Sequence, residues 1–263
     1  MGLVSGCRHA CDTSVVATQP LGALQQHGFD VRFAWGLDGL RVLREARTVV
    51  IIDVLSFSTA VDVAVSRGAM VLPFGGRPDG LDGYTERHDA VAAGPRGSSG
   101  WSLSPASLLS IPIGTRLVLP SPNGSTLSAE VATTATVVTA CLRNAPSVAR
   151  ALSGMQLPIA VIAAGERWGR VDGRLRPALE DLVGAGAIIE GIGSSSCSPE
   201  ARAAQAVFRA SEPALDEWIR DCSSGRELIE AGFTADIELA SEYGSSSAIP
   251  VLERGAYIDR QAA

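Results

Sequence analysis

The stretch Val49-Val50-Ile51-Ile52-Asp53-Val54-Leu55-Ser56-Phe57-Ser58-Thr59-Ala60-Val61, VVIIDVLSFSTAV, decides how this chain is read. From Thr48 the run is continuously apolar and rich in β-branched residues, the pattern of a strand covered on both faces. It ends on a carboxylate. Hydroxyls follow, and helical spacing sets in over 58–67, with Gly68 as its stop. A buried strand feeding a helix through a polar turn belongs to an α/β sheet, where ligands bind outside the carboxyl ends of the strands. Asp53 is thus delivered to the edge that binds ligands. A charge at the end of a buried strand must also find a partner.

Working outward, residues 31–35 alternate as a half-buried strand. Helical spacing covers 37–46. Strands are expected at 69–74, 116–119, 136–140 and 158–164, and helices at 124–133 and 145–152. The segment 75–100 reads as a short helix within 81–92 and then an irregular loop. Residues 177–192 form a long helix, with Pro177 in the first turn and Glu180-Asp181 early, where the helix dipole favours them. From Ser198 to Tyr243 the pattern is helical, and 249–252 and 256–258 are short closing strands. The expected fold is α/β, three-layer α/β/α, with a largely parallel or mixed sheet. Residues 1–26 lack periodicity and are expected to be a loose extension. Residues 27–263 are expected to form a single domain.

Composition removes several function classes. The chain has 263 residues and a net charge of −6, which opposes a nucleic-acid surface. All 22 basic residues are arginine. Without lysine there is no Schiff base, no pyridoxal phosphate linkage and no Walker-A loop. Cys7, Cys11, Cys141, Cys197 and Cys222 form no CxxC pair and read as reduced thiols. Cys7 and Cys11 lack a second pair to complete a zinc site. No run approaches the ~20 apolar residues of a membrane span, and the N-terminus does not read as a secretory signal. The expected compartment is the cytoplasm, with no nucleic-acid or membrane partner; a homo-oligomer stays open.

A second turn repeats the plan of the first. Ser121-Pro122-Asn123-Gly124-Ser125-Thr126 joins a strand to a helix through Asn-Gly and two hydroxyls. Free N–H groups at two such helix starts, with hydroxyls beside them, suit an anion such as phosphate. The plainer alternative is two ordinary N-caps. Ser56, Ser58, Thr59, Asn123, Gly124 and Ser125 are the candidate phosphate binders. Glu166 follows a third strand, and Glu180 and Asp181 lie shortly after it. Carboxylates gathered around a phosphate repel one another unless a cation sits among them, and Mg²⁺ suits one or two carboxylates plus phosphate oxygens. Asp53, Glu166, Glu180 and Asp181 are the candidate metal ligands. Arg96 and Arg167 lie in loops from which a guanidinium fork could reach an anion.

Elimination narrows the field further. His9, His27 and His88 stand beside none of these motifs, and no G-x-S-x-G elbow follows a strand. A haloacid-dehalogenase pattern would need a second aspartate close to Asp53 and a later lysine.

In order and spacing, Asp53-Val54-Leu55, Ser58-Thr59, Ser121 to Ser125, Ala164-Gly165, Leu179-Glu180-Asp181, Ala185-Gly186-Ala187, Gly232-Phe233, Asp236-Ile237 and Pro250 resemble the 2-phosphosulfolactate phosphatase family. The resemblance spans 33–258. It implies a three-layer fold, a Mg²⁺ requirement and hydrolysis of the phosphate ester of a small 2-hydroxy acid; the family's named product is sulfolactate, on the route to coenzyme M. It further implies that Asp53, Glu180 and Asp181 are metal-binding or catalytic, and that Ser58, Thr59, Asn123, Gly124 and Ser125 cradle the phosphate. Ser56 and Thr126 stand where the family pattern usually has arginine, and Gly94-Pro95-Arg96 replaces a Gly-Glu-Arg. The function expected is a Mg²⁺-dependent phosphatase for a small phosphorylated acid. The alternative is a non-catalytic anion- or metabolite-binding protein of the same fold.

Overall fold

The apolar run becomes strand β2 (Thr48–Ile52), every residue of which is buried. In a computed structural model, residues 21–131, 134–169 and 173–261 are described. In chain order the further strands are β1 (Val31–Trp35), β3 (Met70–Phe74), β4 (Val91–Ala92), β5 (Arg116–Pro120), β6 (Thr136–Ala140), β7 (Ile159–Ala163), β8 (Glu166–Arg167), β9 (Leu175–Arg176), β10 (Pro250–Glu253) and β11 (Ala256–Asp259). The helices are α1 (Gly36–Val42), α2 (Phe57–Ser66), α3 (Leu81–Arg87), α4 (Gly124–Val131), α5 (Ala145–Leu152), α6 (Leu179–Ile192), α7 (Pro199–Ser211), α8 (Leu215–Asp221), α9 (Ser223–Glu230) and α10 (Thr234–Ser241).

Period-two alternation makes β2 the centre of both cores. Val50 and Ile52 join Val148 of α5, Val183 and Ile188 of α6 and Phe208 of α7. Val49 and Ile51 join Leu40 of α1, Phe57 and Val61 of α2 and Leu127 of α4 on the other face. Helices therefore cover both faces, and the fold is three-layer α/β/α. The strand order is β1-β7-β2-β6-β10-β11-β3-β5-β4. Two parallel groups, β1-β7-β2-β6 and β3-β5-β4, are joined by the antiparallel pair β10–β11. Following the ladder, the second group runs opposite to the first. Five strand spacings of ~4.8 Å would put β5 about 24 Å from β2 in a flat sheet. The sheet is therefore not flat, for the chain that leaves β5 returns to the first group. There α4 packs on β2, β3, α1 and α2.

Several boundaries differ from the sequence reading. Helix α6 starts at Leu179 after the extended Ala178, so Pro177 precedes it and Glu180-Asp181 occupy its first turn. The helix expected within 81–92 stops at Arg87, because 91–92 pair with β5 as strand β4. The β8–β9 hairpin was not expected: Glu166 pairs with Arg176 and Arg167 with Leu175. Residues 1–20 of the expected extension, with Cys7, His9 and Cys11, lie outside the described residues. Gln26 pairs with the backbone N–H and carbonyl of Phe33 through its side chain. No helix among the described residues is long and apolar enough to cross a membrane.

Helices α6 and α7 cross at a glycine. A Cβ on Gly186 would lie 2.1 Å from the Ala204 carbonyl oxygen and 2.7 Å from Phe208 Cβ. Backbone cannot yield as a flexible side chain does. Gly186→Ala should cost about 3 kcal/mol in urea unfolding; a loss under about 1 kcal/mol would show that this crossing is not tight.

Candidate active site

Asp53 leaves the end of β2 with its side chain buried. One carboxylate oxygen accepts the Phe57 N–H at the start of α2 (3.3 Å), and the other accepts the Gly124 N–H at the start of α4 (2.9 Å). The anion between the two helix N-termini is thus the protein's own. Gly124 permits this closeness: a Cβ there would meet the Phe57 ring at 2.2 Å and the Asp53 carboxylate at 2.9 Å. Burial pushes the Asp53 carboxyl up to about 6, against the backbone donors that favour its charge.

Asp181 makes the matching clamp on the neighbouring strand. Its oxygens accept the N–H groups of Val54 (2.7 Å) and Gly165 (2.8 Å), which follow β2 and β7. Burial holds it well above the usual carboxylate range, and the charges of Asp53 and Glu180 raise it further. Glu180 is buried beside it and accepts the Cys222 thiol at 3.3 Å. That thiol is pushed up to about 12 by burial and by Glu180, so it stays protonated and donates.

The cavity beside this cluster, about 260 Å³, is lined by Asp53, Ser56, Arg96, Ser121, Asn123 and Glu166, with Leu55, Leu103 and Leu228 among the apolar wall. Glu166, half-buried on β8, accepts the Asn123 amide N–H at 3.2 Å. Its carboxyl is raised to about 7 by burial first, then by the charges of Asp53 and Glu180. The Asn123 carbonyl oxygen is buried with no hydrogen-bond partner. Arg96 pairs with Asp236 and donates to the Ser56 hydroxyl.

The expected hydroxyl cradle gives way at three positions. Ser58 bonds to the Ile51 carbonyl, Thr139 and the Asp53 N–H. Thr59 donates to the Val54 carbonyl at 2.8 Å, and Ser125 to the Leu119 carbonyl at 2.7 Å. All three are buried. They close strand ends and helix starts, as hydroxyls in a first turn commonly do. The Gly124 N–H is likewise committed, to Asp53. Arg167 donates to the Gly173 carbonyl (3.4 Å) and does not line the cavity. Asp236 and Phe233, which fix Arg96, received no role from the sequence. The available signal was a carboxylate in the first turn of α10 beside core residues Ile237 and Ala240.

The donor set suits Mg²⁺ only in part. Among the described residues no three His, Cys, Asp or Glu side chains are close enough to share one ion. A four-carboxylate cage does not fit, because neither Asp181, held between two backbone donors, nor Glu180, which faces Cys222, lines the cavity. A smaller set does fit. Asp53 and Glu166 line the cavity together with Asn123, whose orphaned carbonyl oxygen is a hard neutral donor. Mg²⁺ commonly takes one or two carboxylates and completes its shell with water and phosphate.

The model of the 2-phosphosulpholactate phosphatase family matches residues 40–255. The chain belongs to this family. A protein of Thermotoga maritima named probable 2-phosphosulfolactate phosphatase is 28% identical over 221 residues, 81% of this chain and 92% of that one. One of Deinococcus radiodurans bearing the same name is 31% identical over 218 residues, 78% and 87% of the two chains. The family match takes in Asp53, Arg96, Asn123, Glu166, Asp181 and Asp236, every element that builds the cavity.

The raised carboxyls have a measurable sign. Folded values of about 6 for Asp53 and about 7 for Glu166 lie above the ordinary 3.8 and 4.5. The folded protein keeps protons that the unfolded chain has released. Their stabilising contribution is complete below the unfolded values and is lost as pH rises to the folded ones. In metal-free buffer Glu166→Gln should therefore gain in Tm over the wild type as pH rises from about 4.5 to about 8. A difference independent of pH would contradict the raised value.

Proposed function

We propose that this chain is a Mg²⁺-dependent phosphatase that hydrolyses the phosphate monoester of a small 2-hydroxy acid, with 2-phosphosulfolactate the first ester to test. The observation that carries the reading is the buried, unpartnered oxygen of Asn123, a residue that lines a small cavity together with Asp53, Glu166 and Arg96. Family membership supports the substrate class, as do the names of the relatives. The buried, unpaired thiols of Cys141, Cys197 and Cys222 support a reducing, cytoplasmic setting.

Asp53 and the Asn123 oxygen would hold the metal, which when bound would neutralise charge on the phosphoryl oxygens, and this leaves Glu166 free to move a proton. Arg96 and the Ser56 hydroxyl, which line the same cavity, would bind phosphate oxygens. Asp53 is fixed by two backbone donors, and this suits a group that must hold position. Glu166 has a single side-chain donor and a value near neutrality, which suits proton transfer. In this reading Glu166 takes a proton from water as the water oxygen attacks phosphorus. The ester P–O bond breaks, and the same proton passes to the departing alkoxide. Asp181 touches no reactant; it keeps the ends of β2 and β7 in register.

Purified protein with Mg²⁺ should release phosphate from 2-phosphosulfolactate or 2-phospholactate. Asp53→Asn and Glu166→Gln should each lower kcat by about 100-fold or more, measured below the melting temperature of each variant, since Asp53→Asn also gives up an acceptor for one helix start. Saturable ester binding without phosphate release would favour the non-catalytic alternative. An Asp53→Asn variant with full activity would remove that residue from the mechanism.

A further inference from the structure

A buried carboxylate stands where charge alone would not put one. Asp236, at the start of α10, is 1% exposed and lines no part of the cavity. It pairs with Arg96, the one cation among the described lining residues. Its other oxygen accepts the Ser104 hydroxyl at 2.5 Å and the Ala106 N–H at 3.1 Å. The Arg96 guanidinium also rests on the Phe233 ring, 5.1 Å from the centroid. Its second terminal nitrogen reaches the Ser56 hydroxyl. The cavity lining already carries Asp53, Glu166 and Glu227. A fourth acid beside its one described lining cation weakens the potential that would draw in phosphate.

We propose that Asp236 is a positioning residue for Arg96. It fixes one edge of the guanidinium, with Phe233 beneath the plane, so that the remaining N–H donors and the Ser56 hydroxyl face the cavity as a preorganised anion grip. An Arg side chain left unanchored would surrender several rotatable bonds on meeting its ligand, and preorganisation removes that cost. Asp236 is itself held by Ser104 and Ala106, so the grip is built from three separate segments: the loop after β4, the turn at 104–108 and α10. This inference rests on the anion-binding half of the proposed function and not on turnover.

The sign of one substitution separates positioning from plain electrostatics. Asp236→Asn keeps the shape and removes a negative charge beside Arg96. Coulomb's law alone predicts tighter binding of inorganic phosphate. Positioning predicts binding weaker by about tenfold, measured by calorimetry with Mg²⁺ present. For the ester, KM should rise by a similar factor with a smaller change in kcat. Arg96→Lys, which keeps the charge and loses the fork, should weaken phosphate to a similar extent. Adding Asp236→Asn to it should then cost nothing further, because the two side chains act as one unit. Should Asp236→Asn fail to fold, Ser104→Ala removes one of the bonds that hold Asp236 and should shift phosphate affinity less, in the same direction.

Equal or tighter phosphate binding by Asp236→Asn, additive losses in the double variant, or a wild type that binds no phosphate would each overturn the proposal. Phosphate binding that depends on Asp236 in a protein without ester turnover would support this inference while ending the phosphatase reading.

Discussion

The structure turns on one carboxylate that accepts hydrogen bonds from two helix starts. Asp53 binds the Phe57 N–H of α2 and the Gly124 N–H of α4. These helices follow strands that are far apart in the ladder and run in opposite senses. A side chain at Gly124 would fail, because the added carbon would enter the Phe57 ring. Asp181 repeats the device between Val54 and Gly165. Two aspartates thus tie three strand ends together. Such groups are costly to bury unless their hydrogen bonds are complete, and here every carboxylate oxygen of the pair has a backbone donor.

That arrangement limits what is left for a ligand. Helix N-termini bind phosphates when their N–H groups are free. Here the leading donors of both helices are occupied by Asp53, and the nearby hydroxyls of Ser58, Thr59 and Ser125 point into the fold. The groups turned toward the cavity come mainly from loops and the β8 hairpin: Ser56, Arg96, Asn123 and Glu166. The strand-end rule locates the site, while the reactive inventory is carried by segments with no periodic signature.

Much of the frame was legible because burial writes itself into sequence. The run 48–52 is apolar at every position, since β2 is covered on both faces, and it ends where a carboxylate must find donors. Ser58 and Ser125 were legible as polar turn residues but not in direction, because a first-turn hydroxyl meets its own backbone as readily as a ligand. The return of the chain after β5 to β2 depends on the shape of the whole sheet, a property no local window contains. Asp236 was hidden for a related reason. Its partner Arg96 lies 140 residues away, and an acid in the first turn of a helix is already explained by the dipole. Its burial, the informative property, appears only once the chain is folded.

Charge on the cavity wall then constrains any chemistry performed there. Asp53, Glu166 and Glu227 share the lining with one guanidinium, Arg96, which Asp236 already balances, while Arg176 behind the lining pairs with Glu227. A phosphate dianion entering this wall with every carboxyl ionised would meet net repulsion. Protons can lift that repulsion, and the raised values of about 6 and about 7 place them near neutrality. A divalent ion can lift it as well, and it would occupy the Asp53 oxygens. Proton and metal are therefore competitors for Asp53. The burial that raises these carboxyls makes an unpaired negative charge costly, and so it strengthens the demand for a cation when phosphate is present.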